Sequence, residues 1–163
     1  MTNKEAGTNP IISLLAILTL CYAAAFVGSQ GAFQGLQGWY LTLARPSWAL
    51  PVWLWSPLLS VVSGCLGIAG WLVWRAPANR RRTAALALFA GLVILAGAWP
   101  WIFFVGRQLG PAFWAACVQI VLSLAALAGF ARVRAVAALL LAPVVFWTIY
   151  AAFLSFFIWR FNQ

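Results

Sequence analysis

The sequence predicts an all-α membrane protein, one domain over residues 1–163 built as a bundle of five transmembrane helices. Three observations predict it. Two thirds of the residues, 66%, are hydrophobic and only 7% are charged, whereas a water-soluble domain carries about 25% charged residues to cover its surface. The mean hydropathy is +0.99. Five apolar runs, each long enough to cross a hydrocarbon core of about 30 Å at 1.5 Å per residue, follow one another with short polar links. None of the runs alternates as barrel strands do. Backbone groups in lipid must bond within their own segment, so runs of this kind are helices.

The first span covers residues 10–30 and opens at Pro10. The polar residues 1–9 before it do not complete a signal peptide, because no small-residue cleavage site follows the apolar run. Residues 31–38, rich in Gly and Gln, read as a loop leading to Trp39-Tyr40 and Arg45-Pro46. The second span is 51–74. A basic loop, 75–82, holds Pro77 and the triplet Arg80, Arg81, Arg82. The third span, 83–105, stops before Arg107. The fourth is 110–131, and the fifth, 135–159, ends at Arg160. Pro57, Pro100 and Pro143 fall inside apolar runs, where proline frees a carbonyl and kinks a helix.

Charge sets the expected orientation. Lys4, Arg75, Arg80, Arg81, Arg82, Arg132 and Arg134 share one side, and Arg45, Arg107 and Arg160 the other. Basic residues accumulate inside, which puts the N-terminus inside and the C-terminus outside. Nucleic acid is not the expected partner, since its binders gather charge on a solvated face, and here the Arg residues punctuate apolar runs. Cys21, Cys65 and Cys117 all lie in apolar stretches, and the chain has no His and one acidic residue, Glu5. That inventory speaks against a disulfide framework and a metal site, and it excludes a Ser-His-Asp triad. No catalytic constellation is evident. No charge sits at depth in a span, which argues against ion-coupled transport; Gln119 is the most polar residue there, placed to bond a neighbouring helix.

The chain has 11 Trp. Trp39, Trp48, Trp74 and Trp159 sit near span ends, where the indole suits the interface. Trp99, Trp101 and Trp147 sit at or inside spans. Trp147 is followed one turn later by Ala151 and Ala152. Two readings stay open for it: packing against small residues, or one wall of a flat aromatic slot.

Trp39-Tyr40, then Arg45-Pro46-Ser47-Trp48, then Pro51 and Trp53 resemble the TspO/MBR family of tryptophan-rich sensory and translocator proteins. The family pattern is Trp-Tyr, a gap, then K/R-P-x-W-x-P-P-x-W. Similar in order and spacing are Leu72-Val73-Trp74-Arg75, Trp99-Pro100 with Phe103-Phe104 and Arg107-Gln108, and Phe130-Ala131-Arg132-Val133. Pro143, Trp147, Ala151, Leu154 and Ile158-Trp159-Arg160 with Asn162 complete the likeness, which runs from Trp39 to the C-terminus.

The resemblance implies a five-helix receptor or sensor with a cavity toward the first loop. It implies binding of porphyrins such as protoporphyrin IX or a haem-like ring, with no cofactor required. It also implies a homodimer in the lipid bilayer. Carried over position by position, the ligand-binding residues are Trp39, Tyr40, Trp48, Trp53, Trp99, Phe103, Trp147, Ala151 and Leu154. Arg45 is a candidate cation for porphyrin propionates. Transport of an apolar metabolite and light-dependent porphyrin breakdown are the alternatives.

Several positions depart from the family. Ala49-Leu50 stands where Asn-Pro or His-Pro is usual, and Leu59 where a pocket Trp central to porphyrin breakdown is usual. Ala96 replaces an Asn, Val144 a Tyr, and Ser63 with Leu66 a Tyr-x-x-Met. The expected pocket is therefore less polar than the family's and short of one aromatic wall. The cholesterol motif of eukaryotic members is not met, because Tyr150 is too far from Arg160. Two small-x-x-x-small pairs, Ala87 with Gly91 and Ala125 with Gly129, are candidate dimer contacts. The family occurs in several membranes, so the sequence does not assign one.

Overall fold

The computed structural model describes residues 9–36 and 38–163; Lys4 and Glu5 lie outside them. Five helices long and apolar enough to span a membrane form the described chain. Helix α1 runs Pro10–Leu36, a short α2 is Trp39–Thr42, and a 3-10 turn, Val52–Leu54, leads into α3, Trp55–Trp74. Helix α4 is Arg80–Pro100, prolonged by a π-helical segment, Trp101–Val105. Helix α5 is Leu109–Ala131 and α6 is Ala135–Phe161.

The starts follow from capping. The Asn9 side chain accepts from the Ile11 N–H at 3.0 Å, with Pro10 in the first turn where its missing N–H costs nothing. Asn79 accepts from the Arg82 N–H at 2.8 Å. That cap draws the arginine triplet into the first turn of α4, so the third span begins at Arg80 and not at 83.

Two sequence expectations are corrected. Residues 31–36 are helix, not loop. Their glycines serve close packing: a Cβ on Gly31 would lie 3.0 Å from the Trp101 ring, and one on Gly35 3.0 Å from Phe104. The remaining loop carries the short α2, which the sequence reading missed. Pro57 sits in the first turn of α3, where no intrahelical bond is lost, so it does not kink that helix. Pro100 does end regular α-helix: the Gly106 N–H bonds the Trp101 carbonyl at 2.8 Å in the wider turn that follows.

The spans form a closed ring in the order α1, α3, α6, α5, α4. Near its start α1 is tied to α3: Trp71 Nε1 donates to the Pro10 carbonyl at 3.2 Å, and the Tyr22 hydroxyl to the Ser60 carbonyl at 3.1 Å. Farther along it leans on α4, where a Cβ on Gly28 would meet the Ala96 carbonyl and the Pro100 ring, each at 3.2 Å. Trp101 Nε1 donates to the Val27 carbonyl at 2.9 Å. Two buried clusters fill the ring. One, around Val73, Phe89, Phe130 and Leu141, lies toward the basic loops. The other, around Tyr40, Trp55, Phe103 and Phe104, lies toward the first loop.

Candidate functional site

Between the two clusters is a cavity of about 110 Å³ bounded by all five spans. Each wall follows from its sequence. On α1 it is built from Cys21, Ala24, Ala25, Gly28, Ser29 and Ala32. Their spacing of three and four keeps them on one helical face, and none is larger than a thiol or hydroxyl. The facing walls carry the large rings: Trp55 from α3, Trp99 from α4, and Trp147 and Tyr150 from α6. Trp55 and Trp147 meet edge to face at 6.4 Å, an arrangement that aromatic quadrupoles favour. Ser29 is exposed and lines the cavity, so the cavity reaches the bundle surface at α1.

An aromatic roof closes the cavity toward the first loop. Phe103 stacks on Trp99 at 5.1 Å and packs on Phe104 at 4.8 Å. Tyr40 packs on Trp55 at 5.6 Å. The loop is latched over this roof by polar bonds. Tyr150 Oη accepts from the Leu50 N–H at 2.9 Å, and Trp55 Nε1 donates to the Leu50 carbonyl at 3.3 Å. The Asn162 amide, at the end of α6, accepts from the Ala44 N–H and donates to the Ala44 carbonyl, both at 2.9 Å.

Of the residues singled out in the sequence, Trp99, Trp147, Ala151 and Leu154 line the cavity. Tyr40 and Phe103 are buried in the roof and do not reach the cavity wall. Trp39 packs on Phe103 from the loop side at 5.8 Å. Trp48 lies over Tyr150 and Phe157, outside the cavity. Trp53 stands in the 3-10 turn, 72% exposed, and faces away from the cavity. Arg45 lies 5.0 Å over the Tyr40 ring. The roof therefore separates Arg45 from the cavity.

Sequence reasoning missed Trp55, Phe104, Thr148, Tyr150 and the small-residue face of α1. The last had a signal, the spacing of Cys21, Ala24, Ala25, Gly28 and Ala32. The departures Leu59, Ser63, Leu66, Ala96 and Val144 all line the cavity, whereas Ala49 and Leu50 do not.

Polar groups are sparse. Thr148 shares a 3.0 Å hydrogen bond with Ser123 behind the wall. Gln119 lines the cavity, and its amide has no hydrogen-bond partner among the described residues. Tyr40 Oη is buried without a hydrogen-bond partner. Burial pushes its phenol above the ordinary value near 10, and the Arg45 charge pulls it part of the way back. Among the described residues no group of His, Cys, Asp or Glu is placed to hold a metal.

The TspO/MBR family profile matches residues 16–160, which extends the likeness into α1. Translocator protein from Homo sapiens is 34% identical over 144 residues, covering 85% of this chain and 83% of that protein. Translocator protein from Sus scrofa is 35% identical over 144 residues, with 85% and 83% covered. Tryptophan-rich protein TspO from Chlorobaculum tepidum is 32% identical over 163 residues, with 93% and 97% covered. With five membrane spans ringed around an aromatic cavity, this chain belongs to the TspO/MBR family.

Proposed function

We propose that the protein is a membrane receptor for flat, apolar ligands of the tetrapyrrole class, bound in the cavity enclosed by the five spans. The observation that carries this reading is the asymmetry of the wall: the rings of Trp55, Trp99 and Trp147 lie across from an α1 face of Ala, Gly and Ser. Aromatic faces stack on a macrocycle, and a slim opposite wall gives a sheet-like ligand room. Ligand sites for molecules of this size occupy roughly 300–1,000 Å³, and the cavity measures about 110 Å³. Binding therefore requires the walls to part. The face of α1 can yield most readily, because it is built of small side chains and reaches the bundle surface at Ser29.

Protoporphyrin IX titrated into purified protein tests the reading through quenching of Trp fluorescence. Saturable quenching is expected, weakened by Trp147→Ala, which removes a stacking face, and by Ala151→Phe, which fills the space beside it. Linear quenching, or saturation unchanged in both variants, would contradict it.

We also propose that the basic end faces inside, from the seven-to-three bias of Lys and Arg, and that the protein pairs as a homodimer. Gly91 and Gly129 both pack within the chain, against Leu122 and against Leu88 with Ala85. Pairing is assigned to the outward face of α4, where the small residues Ala87, Ala90 and Ala98 are exposed beside Ile94. Ala90→Trp is expected to reduce the dimer mass in mild detergent; an unchanged dimer would move the interface elsewhere.

A further inference from the structure

The end of the bundle opposite the aromatic roof gathers six arginines. Arg75 caps α3, Arg80, Arg81 and Arg82 fill the first turn of α4, and Arg132 and Arg134 flank the turn between α5 and α6. The packing of Ala85 against Gly129 brings these two loops to the same end of the bundle. The chain has a single acidic residue, Glu5, against ten Lys and Arg, so most of the six have no side-chain carboxylate in the protein to pair with.

Placement makes the imbalance costlier. Arg75 and Arg132 sit at helix C-termini, where a cation suits the helix dipole. Arg80, Arg81, Arg82 and Arg134 sit at helix N-termini, where a cation opposes it, and neither helix has an acid in its first turn. Orientation by the basic-inside rule needs charge near this surface, but it does not call for that charge on helix N-termini, and it treats Lys and Arg alike. Here every basic residue except Lys4 is Arg, the side chain whose planar fork matches phosphate. Two guanidinium groups are also laid against interfacial indoles, Arg82 at 5.0 Å over Trp74 and Arg75 at 5.8 Å over Trp71. That holds them at the end of α3, where Trp74 is itself exposed.

From this charge complementarity we propose that the arginine end is a binding site for the phosphate of an anionic phospholipid, with Arg80, Arg81 and Arg82 as its main contacts. The site is separate from the cavity. Phosphodiester oxygens at this level neutralise the first turns of α4 and α6, and the acyl chains lie along the lipid-facing helices.

Native mass spectrometry of the full-length protein in neutral detergent tests it, with phosphatidylglycerol, phosphatidylcholine or inorganic phosphate added. Phosphatidylglycerol is expected to remain bound and to raise the melting temperature, while the other two do neither. Replacing all three residues, Arg80→Gln, Arg81→Gln and Arg82→Gln, is expected to weaken that binding by about tenfold or more. The triple Lys replacement, which keeps the charge and so the orientation, is expected to fall between. Circular dichroism checks that both variants remain helical. Equal retention of phosphatidylcholine would overturn the proposal, as would undiminished phosphatidylglycerol binding by a helical triple Gln variant. Stabilisation by inorganic phosphate alone would show a free-anion site and overturn the assignment to lipid. If the triple Gln variant loses its helices, the triple Lys variant decides: full phosphatidylglycerol affinity there contradicts the fork-specific contact.

Discussion

Single residues decide both how tightly the cavity is framed and where it is strained. Tyr40 is fully buried with an unpaired hydroxyl, and such a group carries a desolvation cost of about 1–3 kcal/mol. Its raised pKa means that the folded protein holds the phenolic proton to higher pH than the unfolded chain does. The stability tied to that proton is present below the ordinary value near 10 and drains as pH rises through the folded value. Tyr40→Phe is thus expected to leave the protein as stable or more stable at neutral pH and to flatten the loss above pH 10, measured by thermal unfolding in detergent. A variant that unfolds earlier at neutral pH would mean the hydroxyl has a partner. Gly28 is the counterpart on α1. A side chain there meets the Ala96 carbonyl, which Pro100 leaves without its helical donor, and the proline ring itself. Gly28→Leu is expected to cost about 1–3 kcal/mol by overpacking, whereas Gly91→Ala, whose Cβ would lie no closer than 3.7 Å to Leu122, should cost far less. Trp147 and Ala151 were legible as a large-and-small pair. Trp55 was not, because position 55 looks like one more indole near a span end until the fold turns it inward.

At the scale of elements, the first loop and the cavity are mechanically joined. Leu50 is held by two cavity-wall residues, Tyr150 through its N–H and Trp55 through its carbonyl. The family pattern places proline at this position, which has no N–H to give, so the bond to Tyr150 depends on this chain's Leu50. Tyr150→Phe is expected to speed hydrogen exchange at the Leu50 amide, and Asn162→Ala at the Ala44 amide. Each change should be about fivefold for a net bond of about 1 kcal/mol, with the amides in the middle of α6 unaffected. Uniform acceleration along α6 would show that the substitution loosens the helix and does not release the loop. The spans were legible because an unbroken apolar run of this length has one stable backbone solution in lipid. The end of α1 was not. Gly and Gln at 31–38 carry the composition of a turn, and only the tertiary contacts of Gly31 with Trp101 and Gly35 with Phe104 show that those glycines serve helix packing. The start of α4 was misplaced for a related reason: three arginines look like loop, but the Asn79 cap includes them in the helix.

For the whole molecule, the closed ring of spans puts one cavity at its centre, an aromatic roof toward the first loop and an arginine collar at the opposite end. Hydropathy reveals the number of spans but not their order in the ring, since lipid-facing and partner-facing residues are alike apolar. The site was therefore legible only in part. Trp99, Trp147, Ala151 and Leu154 reach the cavity, while Trp48 and Trp53, equally prominent in the motif, shape the loop. Occupation of the space between the five spans by the ligand is open to direct test through thiol protection at the cavity rim. Ser29 lines the cavity and is exposed, and Phe33, one turn further, is exposed on α1 outside the cavity. With Cys21, Cys65 and Cys117 replaced by Ser, Ser29→Cys and Phe33→Cys are labelled separately with a small methanethiosulfonate while protoporphyrin IX is raised to saturation. Labelling at position 29 is expected to slow with ligand occupancy while labelling at position 33 does not. Equal rates at position 29 with and without saturating ligand would place the ligand elsewhere and contradict binding between the spans.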